Sequence, residues 1–519
     1  MTGTTATAAG GWTNGRGVMP VIVVALAAVV SAISALNLAA PSIARDLQAD
    51  QTQIAWVVDA YALTFAALLL LAGAIGDRYG RRRALLAGLV VFVVGSGVAT
   101  AAQDPGQLIA VQAVLGAGAA LVMPATLSTI TSTFPPERRV RAVGTWAGVA
   151  GASAMLGLLV TGLLLEAWSW RSVFAFNLAM GLVALVGTVV AVPESADPEA
   201  PRLDLAGALL SVVGLGLVVY SIIEAPTQGW DSGRTLAGLA AGLVVILGFL
   251  AWELTRRQPL LDPRLFRLRG FSTGTLTITV QFFGFFGFIF LIVQYLQLVL
   301  GRSALVAALS VAPMAVVMMP SARGLAPRVV ARVGTRPVMA GGLLLVAAGF
   351  AVLARLDAAS SYLPLLCGLV LLGAGMGLAM TPATSSITDA LPPAQQGVGS
   401  AVNDLARELG AALGIAVLGS IMQSVYRDDL RLPGLPPAVV EQARSSFGAA
   451  AHMGDAVAVP ARAAFVEGMQ TALTWASWTT GALLLVVVAL GVLLRASDHA
   501  PASGATVSSA GSESASPRP

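Results

Sequence analysis

Apolar residues run through this chain in long unbroken stretches instead of alternating with polar ones. Fourteen such stretches fall near 19–40, 53–75, 84–103, 107–132, 142–165, 172–193, 205–224, 235–255, 271–299, 304–326, 337–355, 362–384, 398–423 and 471–495. About 20 residues in an α-helix cross the hydrocarbon core of a bilayer, so each stretch predicts one membrane span. The period-2 pattern of an outer-membrane strand is missing. The expected fold is therefore an all-α polytopic membrane protein. Its first span is too long and too poorly cleavable to be a signal peptide. Residues 1–18 and 496–519, rich in small and polar residues, read as disordered cytoplasmic tails. Residues 423–470 form the one long external connection, with prolines and short amphipathic stretches that suggest partly ordered cover.

Composition agrees with the pattern. Of 519 residues, 56% are hydrophobic and 11% charged, and the mean hydropathy is +0.82, too little charge to cover a soluble protein of this length. All the basic residues are arginines, and they gather in connections. With the N-terminus inside, twenty arginines fall on cytoplasmic segments and five in the short external loops, as the positive-inside rule requires. An even number of spans returns the C-terminus to the cytoplasm, in a bacterial inner membrane. The net charge of +4 then reflects membrane flanks and gives no ground for a nucleic-acid surface. One cysteine, Cys367, in an apolar run, and two histidines, His452 and His499, allow no disulfide framework, metal site or nucleophilic triad. Neither enzymatic chemistry nor a cofactor is expected.

One connection stands out, from Gly73 through Gly76, Asp77, Arg78, Tyr79 and Gly80 to Arg81, Arg82 and Arg83. Its glycines permit a tight turn between helices. Its single acid can pair with an arginine or face the positive end of a helix. A second copy, Arg332-Val333-Gly334-Thr335-Arg336, follows span 10, with Ala331 where the acid would stand. Paired loops in corresponding places suggest two six-helix halves, 19–193 and 271–495, with 194–270 as a two-helix insertion between them.

The sequence from Gly73 to Arg82 resembles the loop between spans 2 and 3 of the major facilitator superfamily. Further stretches are similar to its fourteen-span drug:proton antiporter branch (EmrB/QacA-like). They include Asn37, Ala39 and Pro41 in span 1; Trp56, Asp59 and Tyr61 in span 2; and Trp170, Arg171, Phe174 and Asn177 after span 5. Later come Asp204 and Gly207, Gly229 and Trp230, Pro259 and Asp262, Tyr295 and Gln297, and Asn403, Arg407 and Gly410. The resemblance implies alternating access, small-molecule substrates and protons as partners, a monomer, and a loop of Gly73, Asp77, Arg78, Gly80 and Arg81 that steadies one conformation. It also exposes departures. Ala32 stands where the branch often has an aspartate, Gln112 where it has an arginine, and Leu158 where the span 5 signature has a proline. Coupling, where present, must use other acids.

Those acids are few. An aspartate at the bilayer centre costs roughly 2.5–3.5 kcal/mol on insertion scales, so Asp59 is a candidate for cation or proton binding. Asp404 and Glu408 lie four apart on one helix face, where two carboxylates resist ionising together. Arg407 can neutralise Asp404 as a structural pair, leaving Glu408 as the proton-carrier candidate. Span 9 carries six phenylalanines within 282–290, too many for one face. Phe285, with Gln281, Gln294, Tyr295, Trp146 and Asp59, is a candidate to line a cavity for flat or cationic compounds. The small-residue runs Gly116-Ala-Gly118 and Gly373-Ala-Gly375 lie inside spans and read as helix packing, not nucleotide loops. Export of lipophilic, cationic drugs is the function these features predict. The alternatives are an exporter of one natural product and a non-transporting scaffold built on the same fold.

Overall fold

A computed structural model describes residues 17–196, 203–257, 259–392 and 396–497, so nearly all of both expected tails lies outside the described residues. The long helices follow the fourteen apolar stretches. They are α1 (Val18–Asp46), α2 (Gln51–Tyr79), α3 (Arg81–Thr100), α4 (Pro105–Thr133), α5 (Pro136–Ala167), α6 (Arg171–Ala191), α7 (Leu205–Gln228) and α8 (Gly233–Thr255). Then come α9 (Arg269–Val299), α10 (Ala304–Val333), α11 (Thr335–Leu353), α12 (Tyr362–Asp389), α13 (Gln396–Asp429) and α14 (Asp455–Ser497). Among the described residues, thirteen are long and apolar enough to cross a membrane. The other, α5, is a 32-residue helix. This is a multi-pass, all-helical membrane protein.

The same pairing pattern appears twice. In the first six helices α1 packs on α5 and α6, α2 on α4, and α3 on α4 and α6. In the last six α9 packs on α13 and α14, α10 on α12, and α11 on α12 and α14. The glycines repeat with it. A Cβ on Gly88 would lie 2.7 Å from the Gly118 carbonyl oxygen, and one on Gly342 would lie 2.7 Å from that of Gly375. Backbones this close leave no room for a side chain, which is the packing role read for these runs. The two sets meet through α2 with α13 and through α5 with α10.

The α7–α8 pair packs beside the first of these contacts, on α2 and α13. Polar contacts help to hold it there. Trp56 Nε1 donates to Glu224 Oε1 at 3.2 Å, Ser420 Oγ to the Ile222 carbonyl at 2.7 Å, and Trp230 Nε1 to Ser424 Oγ at 2.8 Å.

The long connection is more helical than its hydropathy predicts. Helix α13 runs to Asp429, short helices occupy Pro437–Ser445 and Phe447–Ala450, and α14 starts at Asp455, well before residue 471. Arg462 and Glu467 dilute the hydropathy there, but Val457, Ala461, Phe465 and Met469 bury one helical face. Phe447 stacks on Phe465 with centroids 4.2 Å apart, and Ser446 Oγ donates to the Ala49 carbonyl at 3.2 Å. The segment thus clasps the end of α1 that lies opposite the arginine-rich loop.

Candidate functional site

Between the two sets of six helices, α1, α5, α9 and α10 enclose a small cavity of about 40 Å³. Ser34, Leu158, Phe285, Phe286, Met314 and Met318 line it. Phenylalanine and methionine give it a polarisable, adaptable wall suited to flat apolar compounds. Phe285 and Phe286 meet edge to face at 5.0 Å. Leu158, at the position where the resemblance implies a proline, leaves α5 unbroken and faces this space.

One end of the interface is tied shut. Gln51 Nε2 on α2 donates to Gln294 Oε1 on α9 at 3.2 Å, and Gln297 Nε2 donates to the Leu38 carbonyl of α1 at 3.0 Å. A Cβ on Gly162 of α5 would lie 2.9 Å from Leu305 Cα of α10. All three contacts lie at the end away from Asp77.

The ionisable candidates lie deeper. Asp59 is 0% exposed, and neither carboxyl oxygen has a hydrogen-bond partner. Glu408 has one buried oxygen, Oε2, without a partner. The Tyr61 hydroxyl, two residues beyond Asp59, donates to the Val29 carbonyl at 3.0 Å. Carboxyl groups left without donors in an apolar interior are candidates to take a proton or a cation. Gln281, 0% exposed, has neither amide atom satisfied. Gln112 is buried in α4, and Ala32 packs partly buried against the core.

Several expected roles change. Asp404 and Arg407 form no direct ion pair; the guanidinium lies over the Phe282 ring, 5.5 Å from its centroid, and its Nε has no partner. Position i+3 brought the two within reach, but the aromatic wall of α9 captures the arginine. Of the cavity candidates, Phe285 alone lines the central space. Trp146 is tied within the first half, its Nε1 donating to Thr126 Oγ1 at 3.0 Å. Gln294 belongs to the closed end. Tyr295 donates to the Asp357 carbonyl at 2.6 Å and faces a separate groove of about 310 Å³ beside Arg302 and Tyr362. Ser34, Met155, Met314 and Met318 escaped the sequence reading. Methionines in apolar spans carry no local signal, and only the helix rotations turn them inward.

The arginine loop is built as a clamp. Asp77 Oδ1 accepts from Arg81 Nε at 3.1 Å, one turn on. Gly80 has φ +116°, a conformation open to glycine but not to ordinary residues. Its neighbours reach to the end of α6. Arg81 N donates to the Ser195 carbonyl at 2.8 Å, Arg82 N to Glu194 Oε1 at 3.2 Å, and Arg82 Nη2 to the Val189 carbonyl at 2.6 Å, while Arg83 pairs with Glu194 at 3.6 Å. At the opposite end Trp170 Nε1 and Arg171 Nη1 both donate to Asp46 Oδ2, at 2.8 and 2.6 Å.

Two sets of six helices in repeated packing, joined about a central cavity, define a secondary transporter. The chain belongs to the Major Facilitator Superfamily, whose sequence profile matches residues 22–415. It is 32% identical over 471 residues to the Multidrug resistance protein Stp of Mycobacterium tuberculosis, covering 87% of each chain. It is likewise 32% identical over 496 residues to the Tetracenomycin C resistance and export protein of Streptomyces glaucescens, covering 92% of this chain and 90% of that one. Among solved structures it is similar to a bacterial homologue of the human lysosomal transporter Spinster, inward-facing and unoccupied. The TM-score is 0.62 at 17% identity, over 93% of this chain and 97% of that one, a likeness of fold alone.

Proposed function

We propose that this chain exports lipophilic, cationic compounds in exchange for protons, by rocking its two halves, 19–193 and 271–495, about the cavity between α1, α5, α9 and α10. It acts as a monomer in a bacterial inner membrane, both termini in the cytoplasm. The observation that carries this reading is a pair of carboxyl groups within spans, the fully buried Asp59 and the half-buried Glu408, with buried oxygens that no protein donor satisfies. The names of the relatives, for multidrug resistance and for export of one antibiotic, support outward transport of small molecules. Glu408 carries the proton and Asp59 favours cations. Both supply the acid that the signature position at Ala32 lacks.

The test is ethidium uptake into inside-out proteoliposomes under an imposed pH gradient. The parent should accumulate ethidium, and Glu408→Gln should lose gradient-driven accumulation while keeping ethidium exchange. Asp59→Asn should weaken ethidium transport more than that of a neutral compound. Gradient-driven uptake by Glu408→Gln equal to the parent's would remove Glu408 as the proton site. Side-specific labelling of a C-terminal tag and of one inserted near Gly434 checks the orientation. The tags should lie on opposite sides of the membrane.

A second reading is a dedicated exporter of one natural product, favoured by the relative named for tetracenomycin C. Competition separates the two. A multidrug exporter should let unrelated cations inhibit ethidium transport, whereas a dedicated exporter should ignore them.

A further inference from the structure

The motif Asp204-Leu-Ala-Gly207 opens α7, and export as read above makes no use of it. Asp204 caps the helix, its Oδ1 accepting from the Gly207 amide at 2.9 Å. Its Oδ2 accepts from Trp252 Nε1 of α8 at 2.8 Å and pairs with Arg256 Nε, just past α8, at 3.3 Å. The Arg256 guanidinium in turn lies over the Trp252 ring, 3.8 Å from its centroid. Glu253 stands beside this cluster and is 1% exposed. Its Oε2 accepts from the Leu261 amide, in the connection to α9, at 3.2 Å. Its Oε1 is buried and has no hydrogen-bond partner.

Gly207 shows where that oxygen points. A Cβ on Gly207 would lie 2.5 Å from Glu253 Oε1 and 3.2 Å from Asp204 Oδ2. Two carboxyl oxygens therefore face the one space that a side chain at position 207 would fill. Among the described residues, the other charged groups around them are Arg256, Asp262 and Arg264. Arg256 is committed to Asp204, Asp262 Oδ1 accepts from the Arg264 amide at 3.0 Å, and Arg264 Nη2 donates to the Leu254 carbonyl at 3.1 Å. None of them forms an ion pair with Glu253. Two ionised carboxylates in such a space repel each other, and the unpaired one pays for its lost hydration. A single proton removes both costs. It gives Oε1 a hydrogen to donate and leaves Asp204 the charge that Arg256 answers.

We propose that Glu253 is a neutral carboxylic acid that donates its proton to Asp204, and that the Asp204-x-x-Gly207 motif is the cradle of this shared proton. The pair is a proton site apart from Asp59 and Glu408, and the inference does not rest on their roles. It also seats the connection to α9. Glu253 holds the Leu261 amide, and Leu260 and Leu261 close an apolar cavity of about 170 Å³ against Leu70 of α2 and Leu405 of α13.

The folded chain then keeps a proton that the unfolded chain releases at an ordinary glutamate pKa of about 4.3. Because the folded state binds more protons, this contribution to stability is full in acid and is lost as the pH rises until Glu253 ionises in place. The experiment uses the full-length protein in detergent. Infrared spectroscopy at neutral pH reads protonated carboxyl groups, and thermal unfolding in mildly acidic and mildly alkaline buffer reads stability. The spectrum of the parent minus that of Glu253→Gln should show a protonated-carboxyl band that shifts in heavy water. Glu253→Gln carries an amide that donates the same hydrogen bond at every pH. Its midpoint should match the parent's in acid and exceed it in alkali. Glu253→Ala, which has no donor and no acceptor for Leu261, should unfold below Glu253→Gln in both buffers. A difference spectrum without that band would overturn the proposal. So would a Glu253→Gln variant that fails to fold or is less stable than the parent in both buffers, because Glu253 would then be an anion. None of these readings involves transport, so their failure leaves the export proposal intact.

Discussion

The two loops of the repeat adopt one turn and hold it differently. Gly80 and Gly334 both take positive φ, +116° and +87°, at the junction of two long helices. Around Gly80 the space is full: a Cβ there would lie 2.5 Å from Glu194 Oε1. Around Gly334 a Cβ would meet nothing within 4 Å. The first loop has an acid at Asp77, a second at Glu194, and backbone bonds to the end of α6. Among the described residues the second loop has no ion pair, and Arg332 and Arg336 stay exposed. A duplicated turn therefore need not keep a duplicated function. One copy is fastened to the end of α6, and the other is left open.

The largest effect should come from the glycines themselves. A non-glycine residue in such a backbone region costs about 1–3 kcal/mol. Gly334→Ala should lose that and no more. Gly80→Ala should lose it and also push Glu194 off the Arg82 amide and Arg83, about 1 kcal/mol further. Thermal unfolding of the two purified variants reads the gap, and equal shifts would mean that the Glu194 anchor is slack. Next is Asp77→Asn. Its pair with Arg81 is half exposed, so stability should fall by less than about 1 kcal/mol. Transport at equal expression should slow severalfold, because the loop loses its fixed anion, and an unchanged rate would reduce the loop to an orientation signal. Glu194→Gln should behave alike with a smaller loss of rate, since the backbone bond from Arg81 to Ser195 survives. The smallest effect should follow Ala331→Asp, which restores the acid three residues before Gly334. Stability should move by no more than about 0.5 kcal/mol. Thermal unfolding reads the shift, and a larger gain would mean that the new carboxylate finds a partner among the exposed arginines Arg332 and Arg336.

How far these outcomes were visible in advance depends on the range of each interaction. Fourteen apolar stretches located fourteen long helices, because burial in lipid writes itself into every residue of a span. The turn glycines and the Asp77–Arg81 pair were equally legible, since both depend on residues within four positions. So were the close helix contacts at Gly118 and Gly375. The start of α14 was not, because Arg462 and Glu467 lower the hydropathy of a helix whose buried face is set by its neighbours.

Contacts between distant segments were hidden. Glu194 lies 112 residues from Arg82, and nothing around either announces the bond. Spacing offered Arg407 to Asp404, and the packing of α13 on α9 gave it to Phe282 instead. Trp146 and Tyr295 looked like cavity residues, yet Thr126 and Asp357 claim their polar atoms. Sequence determined which segments are helices, where they turn and which charges stand at their ends, because those follow from transfer energy and local geometry. Tertiary structure alone decided which faces look inward, which buried acids remain unpartnered and which arginines stay free, because each depends on how one helix is rotated against another.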